Sequence, residues 1–182
     1  MSDGYFDSIL RQLHLINNDQ CHSSVCEAAS FVANTYEYVY TTGVGKSSFV
    51  AMRMASVLSN LGFRSMYLDP VEAAHGGIGR FRDGDMVICF SKSGSTSELV
   101  RLIPAIRDSG VSLIAVTCCP ISPIGLVADI LVNLGFVCEA EPYHVIPSAS
   151  CTAMTIIADN IAFRAAQARG YTLDSVSENH PA

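Results

Sequence analysis

Met86-Val87-Ile88-Cys89-Phe90-Ser91-Lys92-Ser93-Gly94-Ser95-Thr96-Ser97-Glu98 runs from an unbroken apolar pentapeptide into a turn crowded with hydroxyls. The apolar run reads as a strand, and the spacing of Leu99, Leu102, Ile103 and Ile106 beyond the turn is helical. A strand-turn-helix step of this kind is where a parallel-sheet protein opens its ligand crevice. Helix N-termini carry unpaired N–H groups and a partial positive charge, so an anion held there gains hydrogen bonds and a favourable field together. Capping the helix needs one hydroxyl or two. Five of them around Gly94 (Ser91, Ser93, Ser95, Thr96 and Ser97) exceed that need and predict a phosphate cradle.

Working outward, apolar β-rich segments recur at residues 36–41, 65–68, 86–90, 112–116 and 130–134, each separated by a helical pattern. This alternation predicts βαβ units, an α/β fold whose five-stranded parallel sheet is covered by helices on both faces and binds ligands beyond the carboxyl ends of its strands. Two helices are expected before the first strand, near residues 3–16 and 20–33, and a long one near residues 150–168, ended by Gly170. No internal linker or low-complexity tract divides the chain, which reads as one domain. Residues 172–182 are polar and aperiodic and taken alone read as a frayed tail.

A chain of 182 residues with 49% hydrophobic and 15% charged content can bury a sizeable core. Its net charge of −6 and the absence of a Lys/Arg run argue against nucleic acid or an anionic membrane as partner, while leaving room for a small anion in a local pocket. No secretory leader or bilayer-spanning run is visible, so a cytoplasmic location is expected. The seven cysteines form no Cys-x-x-Cys pair and Cys118 adjoins Cys119, which predicts reduced, mostly core-packed thiols and no zinc site.

A second phosphate-type turn, Gly43-Val44-Gly45-Lys46-Ser47-Ser48, follows the first strand. A nucleotide P-loop needs glycine where Tyr40 stands, so ATP hydrolysis is not expected. A dinucleotide fingerprint needs glycine where Ser48 stands, yet Asp69 ends the second strand about where a ribose-binding acid belongs. A nucleotide-binding oxidoreductase therefore stays as an alternative. A tight turn accounts for Gly43 and Gly45 but has no need of Lys46.

The two turns, taken with Asp69-Pro70-Val71-Glu72-Ala73-Ala74-His75-Gly76-Gly77-Ile78-Gly79, resemble the sugar isomerase (SIS) domain and, within it, the arabinose 5-phosphate isomerases. Cys138-Glu139-Ala140-Glu141-Pro142 through Pro147-Ser148-Ala149-Ser150 and Arg169-Gly170-Tyr171-Thr172 with His180-Pro181 continue the resemblance in order, over residues 36–182. It implies a three-layer αβα sandwich with flavodoxin-like strand order: N-terminal helices over residues 1–34, an α/β core over 35–170, and a tail over 171–182 that reaches an active site. It implies an enzyme interconverting D-arabinose 5-phosphate and D-ribulose 5-phosphate for synthesis of an eight-carbon acidic sugar of lipopolysaccharide or capsule. No organic cofactor and no catalytic metal are implied. The phosphate would rest on Ser91, Ser93, Ser95 and Thr96, with Gly45, Ser47, Ser148 and Ser150 as further substrate contacts. The sugar would face Lys46, His75, Glu98, Glu139 and His180. Relatives often carry His at the position of Asp69, associated with an inhibitory divalent metal, so a possible inhibitory site lies there with altered sensitivity. Many also continue into a paired CBS module, so the chain is either free-standing or a shortened form. A homodimer or homotetramer with shared active sites is expected, His180 entering a neighbouring copy's site.

Moving a carbonyl between the first two carbons of a sugar phosphate requires removing a carbon-bound proton and returning it to the neighbouring carbon through an enediolate. Under the resemblance Glu139 is the first choice of base, expected at the mouth of the crevice. His75 opens the ring or shuttles protons, Lys46 neutralises negative charge, and Glu98 contacts sugar hydroxyls or orients Lys46. A hexulose-phosphate isomerase and a non-catalytic phosphosugar-binding regulatory domain are the alternatives within the fold.

Overall fold

Helices α1 (Tyr5–Ile16) and α2 (Asp19–Asn34) lead into β1 (Val39–Gly43), α3 (Lys46–Asn60), β2 (Ser65–Tyr67), α4 (Pro70–Ala74), β3 (Met86–Phe90), α5 (Ser97–Val100), α6 (Ile103–Asp108), β4 (Ser112–Thr117), β5 (Ile130–Asn133) and α7 (Ala149–Ala168). These elements come from a computed structural model that describes residues 4–172, 174 and 175. The five strands are all parallel, in the order β2-β1-β3-β4-β5. This is the flavodoxin-like order that the resemblance implies. The chain leaves β1 toward β2 and then crosses back to β3. The turns after β1 and β3 therefore diverge and open a crevice at their carboxyl ends.

Alternation along the strands builds the three layers. Met86, Ile88 and Phe90 of β3 face one core, formed with α1, α2, α3 and α7, while Val87 and Cys89 face a second core under α4, α5 and α6. Both faces of β3 being covered explains its unbroken apolar run, since every residue from Met86 to Phe90 is buried. The edge strand β2 has only three residues, none fully buried, which limits the unpaired edge it offers to another chain. Below the crevice, the carboxylate of Asp85, 1% exposed, accepts from the N–H groups of Tyr38 (2.9 Å) and Arg82 (2.8 Å), tying the start of β1 to that of β3. That clamp fixes the register Val39↔Met86 through Gly43↔Phe90, and so the heights of the two phosphate-type turns.

Three expectations need correction. β1 begins at Val39, not residue 36, because Tyr36 lies on the surface, 79% exposed, with its ring under the Arg169 guanidinium. The helix expected through Leu99, Leu102, Ile103 and Ile106 is broken into α5 and α6. Pro104 has no N–H for the carbonyl of Val100, and the chain tightens there, Leu102 N–H bonding to the Leu99 carbonyl at 3.0 Å. The seven cysteines are all free, but only Cys21 and Cys89 are fully buried. No helix among the described residues is long and apolar enough to cross a membrane.

Candidate active site

The turn after β3 is shaped by its own hydroxyls. Ser91 Oγ lies 3.0 Å from Thr96 Oγ1 and accepts from the Gly94 N–H at 3.0 Å, while Ser93 Oγ accepts from the Ser95 N–H at 3.2 Å. Ser91 is thereby drawn inward, 4% exposed, leaving Ser93 and Ser95 on the surface. Gly94 sits at φ +60°, and its carbonyl accepts from the Ile124 N–H at 3.1 Å, which docks the turn onto the chain following β4. The helix beyond it, α5, has four residues. Its dipole is correspondingly small, so an anion here is held by hydroxyls and backbone N–H groups more than by the helix field.

Above this turn is a cavity of about 500 Å³ lined by Ser47, Ser91, Lys92, Ser93 and Thr96 on one side and by Cys118, Cys119, Phe136, Val137, Cys138, Glu139 and His144 on the other. Glu139 is its charged centre. The expectation of a carboxylate at the crevice mouth is corrected by its burial: Glu139 is 2% exposed. Oε1 accepts from Lys92 Nζ (2.6 Å) and Ser150 Oγ (2.6 Å); Oε2 accepts from Ser148 N (2.8 Å), Ser148 Oγ (3.2 Å) and Ser150 N (3.2 Å). Burial pushes the carboxyl up, but the Lys92 ammonium, the Ser150 hydroxyl and the two backbone N–H groups outweigh it and hold the carboxyl down at about 2. Ser148 and Ser150, expected at the substrate, are engaged with Glu139 instead.

The segment between β5 and α7 is organised by a second carboxylate. Glu141 accepts from the N–H groups of Tyr143 (2.8 Å), Ile146 (2.9 Å) and Val145. Within it His144 takes φ +56°, the one positive value at a non-glycine among the described residues. Its Nδ1 bonds to the Glu139 carbonyl and lies 3.4 Å from Cys138 Sγ. Since a carbonyl only accepts, Nδ1 carries the proton. Burial pushes the Cys118 thiol up to about 11, against the lowering effect of nearby Lys92, so it supplies no thiolate near neutral pH.

Ser47, Ser91, Ser93, Thr96 and Glu139 thus meet at one cavity, with Ser148 and Ser150 behind the carboxylate. Lys46, His75, Glu98 and Ser95 are not among its lining residues. Lys46 opens α3, with Gly45 at φ +60° before it, and is exposed. His75 ends α4 and is exposed; Glu98, on the neighbouring α5, accepts from Ser97 Oγ at 2.8 Å instead of orienting Lys46. Asp69 caps α4, its Oδ1 accepting from the N–H groups of Val71 (2.8 Å) and Glu72 (3.1 Å). Among the described residues no group of three or more His, Cys, Asp or Glu is placed to hold a metal ion. His180 lies outside the described residues. Lys92 and His144 have no role in the sequence reading; Lys92 was visible as the only charge between Ser91 and Thr96, whereas His144 carried no signal.

The sequence profile of the SIS domain matches residues 36–164. The chain belongs to the SIS domain family. It is 35% identical over 143 residues to the arabinose 5-phosphate isomerase KdsD of Pseudomonas aeruginosa, an alignment spanning 79% of this chain and 44% of that protein. It is 32% identical over 155 residues to the arabinose 5-phosphate isomerase GutQ of Escherichia coli K12, spanning 85% of this chain and 48% of that protein. The chain thus spans about half the length of these relatives. Among solved SIS structures, E. coli CFT073 c3406 in complex with arabinose 5-phosphate superposes with a TM-score of 0.91 at 25% identity, covering 97% of this chain and 94% of that one.

Proposed function

We propose that this SIS domain is an aldose–ketose isomerase of sugar phosphates, interconverting D-arabinose 5-phosphate and D-ribulose 5-phosphate. The observation that carries the proposal is the buried Glu139 carboxylate facing the same cavity as the hydroxyl turn Ser91–Thr96. The turn anchors the phosphate, and the open-chain sugar extends along the wall toward Glu139. The carboxylate takes the proton on the second carbon, and the bonding pair becomes the second bond of the enediolate. Returned to the first carbon, the same proton completes the exchange of aldehyde for ketone. Hydrogen-bond donors at the turn and the nearby lysines stabilise the developing oxyanion. The names of the relatives support the choice of substrate. Its product would feed the eight-carbon acidic sugar of lipopolysaccharide or capsule, the role that the resemblance implies.

Because His75 and Glu98 lie outside the cavity of their own chain, the proposal includes a homodimer or homotetramer in which a second copy brings groups such as His75 and His180 to each site. Phe49 and Met52 of α3 and Ile156 and Phe163 of α7, all exposed, offer apolar surface for such contacts. Light scattering is expected to return at least twice the 19.5 kDa of one chain; a monomer that is fully active would remove the shared site.

The decisive assay follows pentose and hexose phosphates by NMR in deuterated water. D-arabinose 5-phosphate is expected to convert to the ketose with deuterium entering at the proton-transfer carbons. Binding without turnover of any aldose or ketose phosphate would make the domain a phosphosugar-binding regulator, and preference for a hexulose phosphate would reassign the substrate.

A further inference from the structure

Lys92 is the one charged residue between Ser91 and Thr96, and it serves both halves of the cavity. Its backbone belongs to the hydroxyl turn, and its Nζ lies 2.6 Å from Glu139 Oε1. We propose that Lys92 is a positioning residue exchanged between two anions: it holds Glu139 while the site is empty and transfers to the phosphate when one docks on the turn, freeing Glu139 to take the proton. This rests on the isomerase proposal above and specifies how its base is switched on.

Four observations support the exchange. The Lys92 side chain is 39% exposed and its partner 1%, so the lysine reaches in from the rim and can leave, whereas Glu139 cannot follow. The Lys92 carbonyl accepts from Cys118 N (3.0 Å) and Thr117 Oγ1 (3.1 Å), so the backbone is pinned and only the flexible four-carbon stem need move. Glu139 keeps the Ser148 and Ser150 donors after the lysine departs, so it stays seated. A phosphate on this turn brings a second anion into a cavity where the attraction and repulsion of charges are poorly screened, and Lys92 is the cation between the two.

The chemistry requires such a change. With Lys92 in place the carboxylate is ionised but a weak base; since the lysine is the largest lowering influence on Glu139, its departure raises the basicity of the carboxylate at the moment substrate is bound. Other groups around Glu139 do not substitute for it. The thiols of Cys118 and Cys151 are both pushed up by burial, the His144 ring is tied through Nδ1 to the Glu139 carbonyl, and Lys46 on α3 acts on Cys151 from outside the cavity lining. The transferred proton passes from the sugar carbon to a carboxylate oxygen and back to the neighbouring carbon, with no redox partner.

Calorimetric titration with inorganic phosphate tests the exchange independently of turnover. Lys92→Met is expected to weaken phosphate binding roughly tenfold, the scale of one lost charge-assisted hydrogen bond, with Lys92→Arg recovering most of it. Turnover supplies the second readout. In Lys92→Met the acid limb of kcat/KM, which reports the free enzyme, is expected to move to higher pH than in the wild type, while the acid limb of kcat, which reports the substrate complex, stays in place. Comparing both proteins on one substrate cancels the ionisation of the phosphate itself. Equal phosphate affinity in Lys92→Met and the wild type, or both limbs moving together, would show that Lys92 stays on Glu139 and would overturn the exchange. A wild type that binds phosphate and converts no sugar phosphate overturns the isomerase proposal alone, since the titrations still read the movement of Lys92.

Discussion

Glu139→Gln is expected to lower turnover by roughly 10² to 10⁴, the range general-base removal covers, while inorganic phosphate still binds. The substitution preserves shape: the amide oxygen can accept from the Ser148 and Ser150 N–H groups, and Lys92, sitting at the rim, can swing to solvent. Deuterium exchange on the sugar should disappear with turnover. Exchange at the wild-type rate in Glu139→Gln would remove Glu139 from the reaction. The same residue has a second, opposite cost. Its folded-state carboxyl lies at about 2 against a reference value of 4.5, so its ionised form is favoured by folding. A carboxyl depressed in this way contributes stability that is fully present above pH 4.5 and disappears as pH falls toward 2. The difference corresponds to ~3 kcal/mol. Chemical denaturation across that window should show the wild type losing stability on acidification and Glu139→Gln losing markedly less, from a lower starting point.

Gly94→Ala is expected to cost ~2–4 kcal/mol, combining a left-handed backbone with overpacking. At φ +60° an added Cβ would lie 2.0 Å from Ser122 Oγ and 2.7 Å from Ser122 Cβ, with Thr117 Oγ1 at 3.1 Å. Rotating the Ser122 hydroxyl away does not relieve the contact with its Cβ. The turn must therefore shift, and with it the Gly94 N–H that positions Ser91 Oγ and the Gly94 carbonyl that accepts from Ile124. Phosphate affinity should fall by roughly 10²-fold, since displacements near 1 Å are costly in a preorganised site. Adding Ser122→Gly removes the overlap but not the backbone strain, so the double variant should recover part of the stability. Phosphate affinity unchanged in Gly94→Ala would place the anion somewhere other than this turn.

Much of the architecture is legible in the chain because it is local. The run Met86–Phe90 declares a strand buried on both faces, and the observed β3 coincides with it. The α5–α6 break was readable too: Pro104 stands in the middle of the apolar spacing, and the period of Leu99, Leu102 and Ile106 conceals it because both short helices cover the same core. The centre of the site is different. Glu139 and Lys92 are 47 positions apart, and only the placement of β3, β4 and β5 side by side brings their segments together. No local pattern says that a Pro-flanked glutamate in a polar segment will be 2% exposed. Likewise His144 reaches the cavity through a backbone conformation that side-chain patterning does not encode.

The cavity's two sides also differ in how freely they can vary. Glu139 is fixed by the first turn of α7, whose buried face packs on α2 and α3, so moving it would disturb the core. Phe136, 84% exposed, and the exposed Cys119 and His144 border the same space while burying almost nothing. Substitutions there change the size and polarity met by a sugar without a comparable penalty in folding. An ancestral scaffold of this design could change its preference among sugar phosphates one surface residue at a time, while the proton-transfer machinery descended intact.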